Sequence, residues 1–160
     1  MQVLVMYHSR TGNTENLAKT ISNGVKQVDG VNCLLKSVDE VTEADFLNSQ
    51  GIIVGSPVYF GLMSAEVKKV FDKFVGLRGR TADKIGAAFV TAAEGSAGEE
   101  TAVLSILQVM LMYGMIIVGD PMEASGHYGL SCVGLPGKDC SGKAALLGKR
   151  VAELVKKIKG

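Results

Sequence analysis

Apolar runs and one-faced apolar stretches alternate along this chain. Val- and Ile-rich runs fall at residues 3–7, 31–38, 51–55, 85–91 and 115–118, and these read as five strands. Four stretches repeat apolar residues at helical spacing instead. They carry Leu17, Ala18, Ile21, Val25 and Val28; then Val67, Val70, Phe71 and Phe74; then Val103, Leu104, Leu107 and Leu111; and finally Leu146, Leu147, Val151, Leu154 and Ile158. A weaker short helix fits 43–47. The third and fifth strand candidates lack the alternation of a sheet with one wet face, so the sheet is expected to be covered on both sides. Strands alternating with helices mean right-handed βαβ crossovers, and the predicted fold is a doubly wound α/β fold with a five-stranded parallel sheet.

Two segments need separate treatment. Residues 101–119 carry no charge and approach the length of a membrane span. Gly114 interrupts the run and Gln108 sits inside it, so a helix stopping at the glycine and followed by a buried strand is the better reading. Residues 120–141 are Gly-rich with weak pattern and read as loop, edge strand, or both. No linker, repeat or low-complexity tract divides the 160 residues, which are expected to form one domain.

Composition narrows the function classes. Hydrophobic residues make up 47% and charged residues 21%, the balance of a chain that folds. Lys and Arg number 17 against 16 Asp and Glu, which leaves no field to draw the protein to nucleic acid or to an acidic membrane. Its partners are expected to be small or locally matched. Cys33, Cys132 and Cys140 form no C-x-x-C pair, and the odd count reads as three free thiols in a reducing compartment. The start, MQVLVMYHS, lacks the features of a signal peptide, which points to the cytoplasm.

In an open parallel sheet a ligand lies outside the carboxyl ends of the strands, where the winding reverses. The loop after the first strand reads Ser9-Arg10-Thr11-Gly12-Asn13-Thr14. Free N–H groups at a helix start, three hydroxyls and a glycine that lets backbone approach suit a phosphate. Neither the triphosphatase nor the dinucleotide glycine pattern is present, so a monophosphate is expected. Against this stands a plain helix cap by Asn13 or Thr14. Arg10 either adds charge to the site or sits on a solvated turn.

After the third strand comes Pro57-Val58-Tyr59-Phe60-Gly61, with Ser64 as the cap of the next helix and Glu66 in its first turn. Tyr59 or Phe60 would cover a planar heterocycle; the alternative is that both rings pack as core. The fourth strand ends in the stretch Thr91 to Gly98, mostly small residues whose backbone can approach a ring edge, in which Ala92, Ala93, Glu94, Gly95 and Gly98 are the site candidates. Glu94 either complements the next helix dipole or sits beside the bound ring.

"HSRTGNTENLAKTI" and "GSPVYFGLMSAEVKKVFDK" resemble the flavodoxin-like FMN proteins over nearly the whole chain. The second stretch, with "LMYGMIIVG" and "GHYG", is similar to the NAD(P)H:quinone oxidoreductase branch, the tryptophan-repressor-binding-protein-like enzymes. The resemblance implies a strand order 2-1-3-4-5 and bound FMN. It implies that Ser9, Arg10, Thr11, Gly12, Asn13 and Thr14 hold the FMN phosphate, and that Pro57, Val58, Tyr59, Phe60 and Gly61 line one side of the isoalloxazine. Ala92 to Gly98 would follow its polar edge, with Tyr128 closing the site.

Where many members of that branch carry a histidine pair before a glycine, this chain has Met112 and Tyr113 ahead of Gly114. It is also shorter than they are, without the segments that help to build their tetramer, and a homo-oligomer stays open. Typical carrier flavodoxins are strongly acidic, unlike this chain.

The function implied is electron flow from NAD(P)H through FMN to quinones or other small acceptors. The alternatives are a flavodoxin-type carrier serving a redox protein, or a flavin-binding regulatory module. No metal is expected, because Cys132, Cys140, His127 and Asp139 match no zinc spacing. His8 and His127 have no evident nucleophile partner, so no catalytic side chain is assigned. Met110, Met112 and Met115 read as core or subunit-contact fillers.

Overall fold

The computed structural model describes residues 1–160, the side chain of Lys159 excepted. The elements follow in the order β1 (Gln2–Tyr7), α1 (Asn13–Val25), β2 (Asn32–Ser37), α2 (Glu43–Asn48), β3 (Gly51–Pro57), α3 (Ala65–Lys73), β4 (Ile85–Ala92), α4 (Glu99–Met112), β5 (Ile116–Ile117), β6 (Leu130–Val133) and α5 (Lys138–Lys159). The sheet is parallel throughout in the order β2-β1-β3-β4-β5.

The fifth position of the sheet is filled in two parts. β5 pairs with Ile85 and Gly86 at the start of β4, and β6 pairs with Phe89 to Ala92 at its end. Residues 118–129 loop out between them. The Gly-rich segment that read as loop or edge strand is both.

Alternate residues of each strand feed opposite layers, as the twofold period of a strand requires. Val3, Val5, Ile53, Ala87 and Phe89 pack under α1 and α5, whereas Leu4, Met6, Ile52, Val54, Ala88 and Val90 pack under α2, α3 and α4. The third strand is buried along most of its length on both faces, which explains its unbroken apolar run. α5 lies directly on α1: a Cβ at Gly24 would collide with the Ala145 carbonyl, and one at Gly148 with that of Ile21.

At the amino ends of the strands, Phe46, Phe71, Phe74 and Tyr113 meet edge to face. The Tyr113 hydroxyl donates to the Phe71 carbonyl. Burial pushes its phenol up to about 12, with the Asp72 carboxylate adding to the effect. The uncharged run at 101–119 divides at Met112, where α4 ends, and Gly114 turns the chain at φ +74° into β5. Among the described residues no helix is long and apolar enough to cross a membrane. Met110 and Met115 are core, but Met112 is exposed.

The cysteines correct the sequence expectation. Cys132 on β6 and Cys140 in the first turn of α5 are joined as a disulfide, with 6.2 Å between their Cα atoms, and Cys33 is the free thiol. The chain between them folds back at Gly134, φ +67°, whose N–H donates to the Ala92 carbonyl at 2.8 Å. That return brings the start of α5 against the edge strand, a proximity that residue spacing did not reveal.

Candidate functional site

Loop 8–12 leaves β1 and turns into α1 through Gly12, whose φ of +92° only glycine adopts without strain. The Gly12 N–H donates to Ser9 Oγ at 3.1 Å, so this hydroxyl organises the turn. No side chain caps α1. The plain-cap reading of Asn13 or Thr14 is thereby excluded, and the first N–H groups of the helix keep the positive end of its dipole open. Thr14 is buried and its Oγ1 lies 2.7 Å from Thr91 Oγ1 at the end of β4. Because either hydroxyl can donate, a bond from Thr91 leaves the Thr14 O–H for a ligand.

Loop 58–63 is fixed from both sides. The Val58 N–H donates to the Thr91 carbonyl at 2.8 Å, while Tyr59 and Leu62 exchange two main-chain bonds of 3.1 Å. Between them Phe60 and Gly61 turn at φ +52° and +75°, as the centre of a type I′ turn demands. Phe60 is fully exposed, at 104%, so the reading that both aromatics pack as core fails for this ring. A phenylalanine in the left-handed region costs about 1 kcal/mol or more, and the neighbouring bonds hold it there.

Ser64 accepts from the Val67 N–H at 3.4 Å and caps α3, as expected. Glu66 in the first turn of α3 places Oε2 3.6 Å from His8 Nε2. A hydrogen bond from its own main-chain N–H, and then the charges of His8 and Arg10, hold its carboxyl below the ordinary range. Loop 93–98 ends at Gly98, φ +92°, which starts α4 without a side-chain cap. A Cβ there would lie 2.6 Å from the Gly61 Cα, so this loop and loop 58–63 abut through two glycines.

The three loops enclose a cavity of about 410 Å³ lined by Arg10, Thr11, Asn13, Thr14, Pro57, Val58, Tyr59, Thr91, Ala92 and Ala93. It lies at the carboxyl ends of β1, β3 and β4, where the winding of the sheet reverses. Of the residues singled out from sequence, nine line it. Ser9 and Gly12 shape its first loop, and Gly61 and Gly98 form the joint behind the other two. Phe60 stands out from the rim, and Glu94 and Gly95 lie exposed in loop 93–98.

Tyr128 lies elsewhere. It lines a second cavity, of about 210 Å³, with Glu100, Asp120, His127, Ser131 and Lys143. There the buried Asp120 carboxylate accepts the His127 N–H at 2.6 Å and closes loop 118–129. Met112 and Tyr113, aligned by resemblance with a histidine pair, sit at the amino ends of the strands, where the Asp83 N–H donates to the Gly114 carbonyl at 2.9 Å. Thr91, read from sequence only as the start of a small-residue loop, lines the cavity as well, and its hydroxyl was given no role. Its signal was a lone hydroxyl ending the apolar run of β4.

Comparison with known proteins agrees with this geometry. A sequence profile described as NADPH-dependent FMN reductase matches residues 36–128. The chain is 36% identical to a flavodoxin of Aquifex aeolicus over 96% of its own length and 86% of the relative's. It is 32% identical to an NAD(P)H dehydrogenase (quinone) of Archaeoglobus fulgidus, covering 98% of each chain. Among solved structures, a flavodoxin from the domain Archaea superposes with a TM-score of 0.82 at 28% identity, over 98% of this chain and 99% of that one. An open helix start at the switch point, a cavity walled by three loops, and these likenesses together place the chain in the flavodoxin-like FMN reductase family.

Proposed function

We propose that this protein is an FMN-dependent oxidoreductase that passes electrons from NAD(P)H to quinones or other small acceptors. The observation that carries the reading is the cavity itself: its size suits a cofactor, with an uncapped helix start and the four polar side chains of Arg10, Thr11, Asn13 and Thr14 on one side and Tyr59 on the other. The residues fit FMN. Main-chain N–H groups of α1, with the Thr11 and Thr14 hydroxyls and the Asn13 amide, would hold the phosphate, and Arg10 would supply charge beside it. Tyr59, Val58 and Pro57 would cover one side of the isoalloxazine, and Ala92 and Ala93 would bring main chain to its edge. Phe60, Glu94 and Gly95 stay in the proposal as rim positions that a bound ring or donor would reach, whereas Tyr128 lines the separate second cavity and is left out of it.

Bound flavin supplies hydride acceptance from a nicotinamide and onward electron transfer to an acceptor. The protein's part is to bind it and to exclude water from one side of the ring. No side chain is required as an acid. The Glu66 carboxylate stays ionised beside His8, which keeps a fixed negative charge near the first loop.

A flavodoxin-type carrier is the second reading. It is favoured by Phe60, an apolar side chain held outward at the rim at a backbone cost, as a docking residue for a redox protein would be. Anaerobic absorbance spectra of FMN-loaded protein, taken before and after NADH or NADPH, separate the two. Bleaching within seconds supports the reductase. A flavin that stays oxidised with both nucleotides, yet is reduced by a partner protein, overturns it in favour of the carrier.

A further inference from the structure

We infer that Cys132 and Cys140 are a reversible thiol–disulfide site that clasps the phosphate end of the cavity, its redox state setting how firmly flavin is retained. The flavin part of this inference rests on the FMN reading above.

Four joints close a ring that starts at that end of the molecule and returns through the far end of α1. β4 meets α1 through the 2.7 Å contact between the Thr91 and Thr14 hydroxyls. α1 meets α5 where Gly24 and Gly148 let the two backbones touch. α5 meets β6 through the Cys140–Cys132 bond. β6 returns to β4 through a parallel ladder in which Cys132 stands directly across from Thr91, at the strand spacing of about 4.8 Å. Thr14 and Thr91 both line the candidate cavity. The cysteine pair therefore lies one strand away from its wall, on the face that carries α1.

Of the four joints, only the sulfur bond can be made and broken by chemistry at neutral pH. β6 is an edge strand of four residues paired only with β4, so opening the bond leaves packing alone to hold its free edge to α5. The two sulfurs differ in access. Cys132 is 4% exposed, whereas Cys140 is partly open to solvent. A small thiolate attacks Cys140 Sγ; the S–S bond breaks, its electron pair leaves on Cys132 Sγ, and that sulfur takes a proton. A second thiolate attacks the reagent sulfur of the mixed disulfide and releases Cys140 as thiolate, which the start of α5 favours. In sum, two small thiols become one small disulfide and the protein bond becomes two thiols. Cys33 is separate: it lies half-buried on β2, and burial pushes its thiol up and makes it a poor nucleophile.

The test uses the full chain in a Cys33→Ser background. Air-oxidised protein and protein reduced with dithiothreitol, then desalted under argon, are alkylated and weighed intact, and FMN affinity is measured in each state by quenching of flavin fluorescence. The expected result is no alkylation before reduction and two groups after it, with FMN bound about three- to tenfold more weakly when reduced and recovered on reoxidation. A variant with Cys132→Ser and Cys140→Ser should bind like the reduced form and ignore dithiothreitol. Two free thiols in the oxidised protein, or equal affinity in both states, overturns the clasp.

If neither state binds FMN, the FMN reading fails by itself. Amide exchange across residues 130–140 then decides the clasp: faster exchange on reduction supports it, and unchanged exchange overturns it.

Discussion

At the amino ends of the strands, the chain termini of the helices are closed by partners. The buried Lys84 ammonium donates to the Leu47 and Ser49 carbonyls at the end of α2, Thr81 Oγ1 lies 2.9 Å from the Tyr113 carbonyl, and four aromatic rings fill the space between. At the carboxyl ends, α1 and α4 start on left-handed glycines without side-chain caps, and Phe60 is held outward at positive φ. One end satisfies its polar groups internally and supplies stability. The other leaves two helix starts open, which is the pattern expected where a ligand completes the structure, whereas positive φ at a non-glycine occurs at both ends, at Phe60 and at Asp83.

The largest effect expected from this division is at the closed end. Phe46→Ala should cost about 3–5 kcal/mol by opening a cavity among the rings, seen in urea denaturation. FMN affinity of the folded protein should hold within about twofold; a parallel fall in affinity would mean that the two ends are not separate.

Next is the pH response of Tyr113. Its folded phenol titrates near 12, against about 10 in the unfolded chain. The unfolded state therefore loses its proton first as pH rises. Stability is fully present below pH 10 and declines from there to 12, by on the order of 2–3 kcal/mol. Tyr113→Phe should flatten most of this slope in denaturation curves taken across that window.

Gly12→Ala probes the open end. No atom crowds a Cβ at this position, so the cost is the left-handed backbone, about 1–2 kcal/mol. The same strain would turn the first loop, and FMN affinity should drop by about tenfold. Loss of stability with unchanged FMN binding would remove Gly12 from the site.

The smallest effect is at the rim. Phe60→Asn places a residue that tolerates positive φ in the same turn and should raise stability by about 0.5–1 kcal/mol. Reduction through a protein partner, measured by stopped flow, should slow if Phe60 docks that partner. Faster or unchanged reduction would leave the ring without a role in docking.

Much of this was readable from the chain because its signals are local. Strand candidates at 3–7, 51–55 and 85–91 became β1, β3 and β4 since burial on both faces imposes unbroken apolar runs. Ser64 was legible as a cap because a serine ahead of an amphipathic run with Glu66 at its second turn position has few other uses. The fold-back at 134–140 was not legible: it depends on a tertiary return that brings Cys140 beside Cys132, and no periodicity records it. The pairing of the Thr91 hydroxyl escaped notice for a related reason, since its partner Thr14 is remote in sequence. Tyr128 was carried to the cavity by resemblance alone, whereas the loop closed by Asp120 and His127 places it on the second cavity, between the start of α4, β6 and α5.

The central claim is that the open start of α1 holds a phosphate. The most direct measurement compares the affinities of the protein for FMN and for riboflavin, which share the ring system and ribityl chain and differ only in the phosphate. Several charge-assisted hydrogen bonds at about 1.5–3 kcal/mol each predict that FMN binds at least about a hundredfold more tightly. Equal affinities would contradict the account and place the recognition of flavin in the loops around the ring.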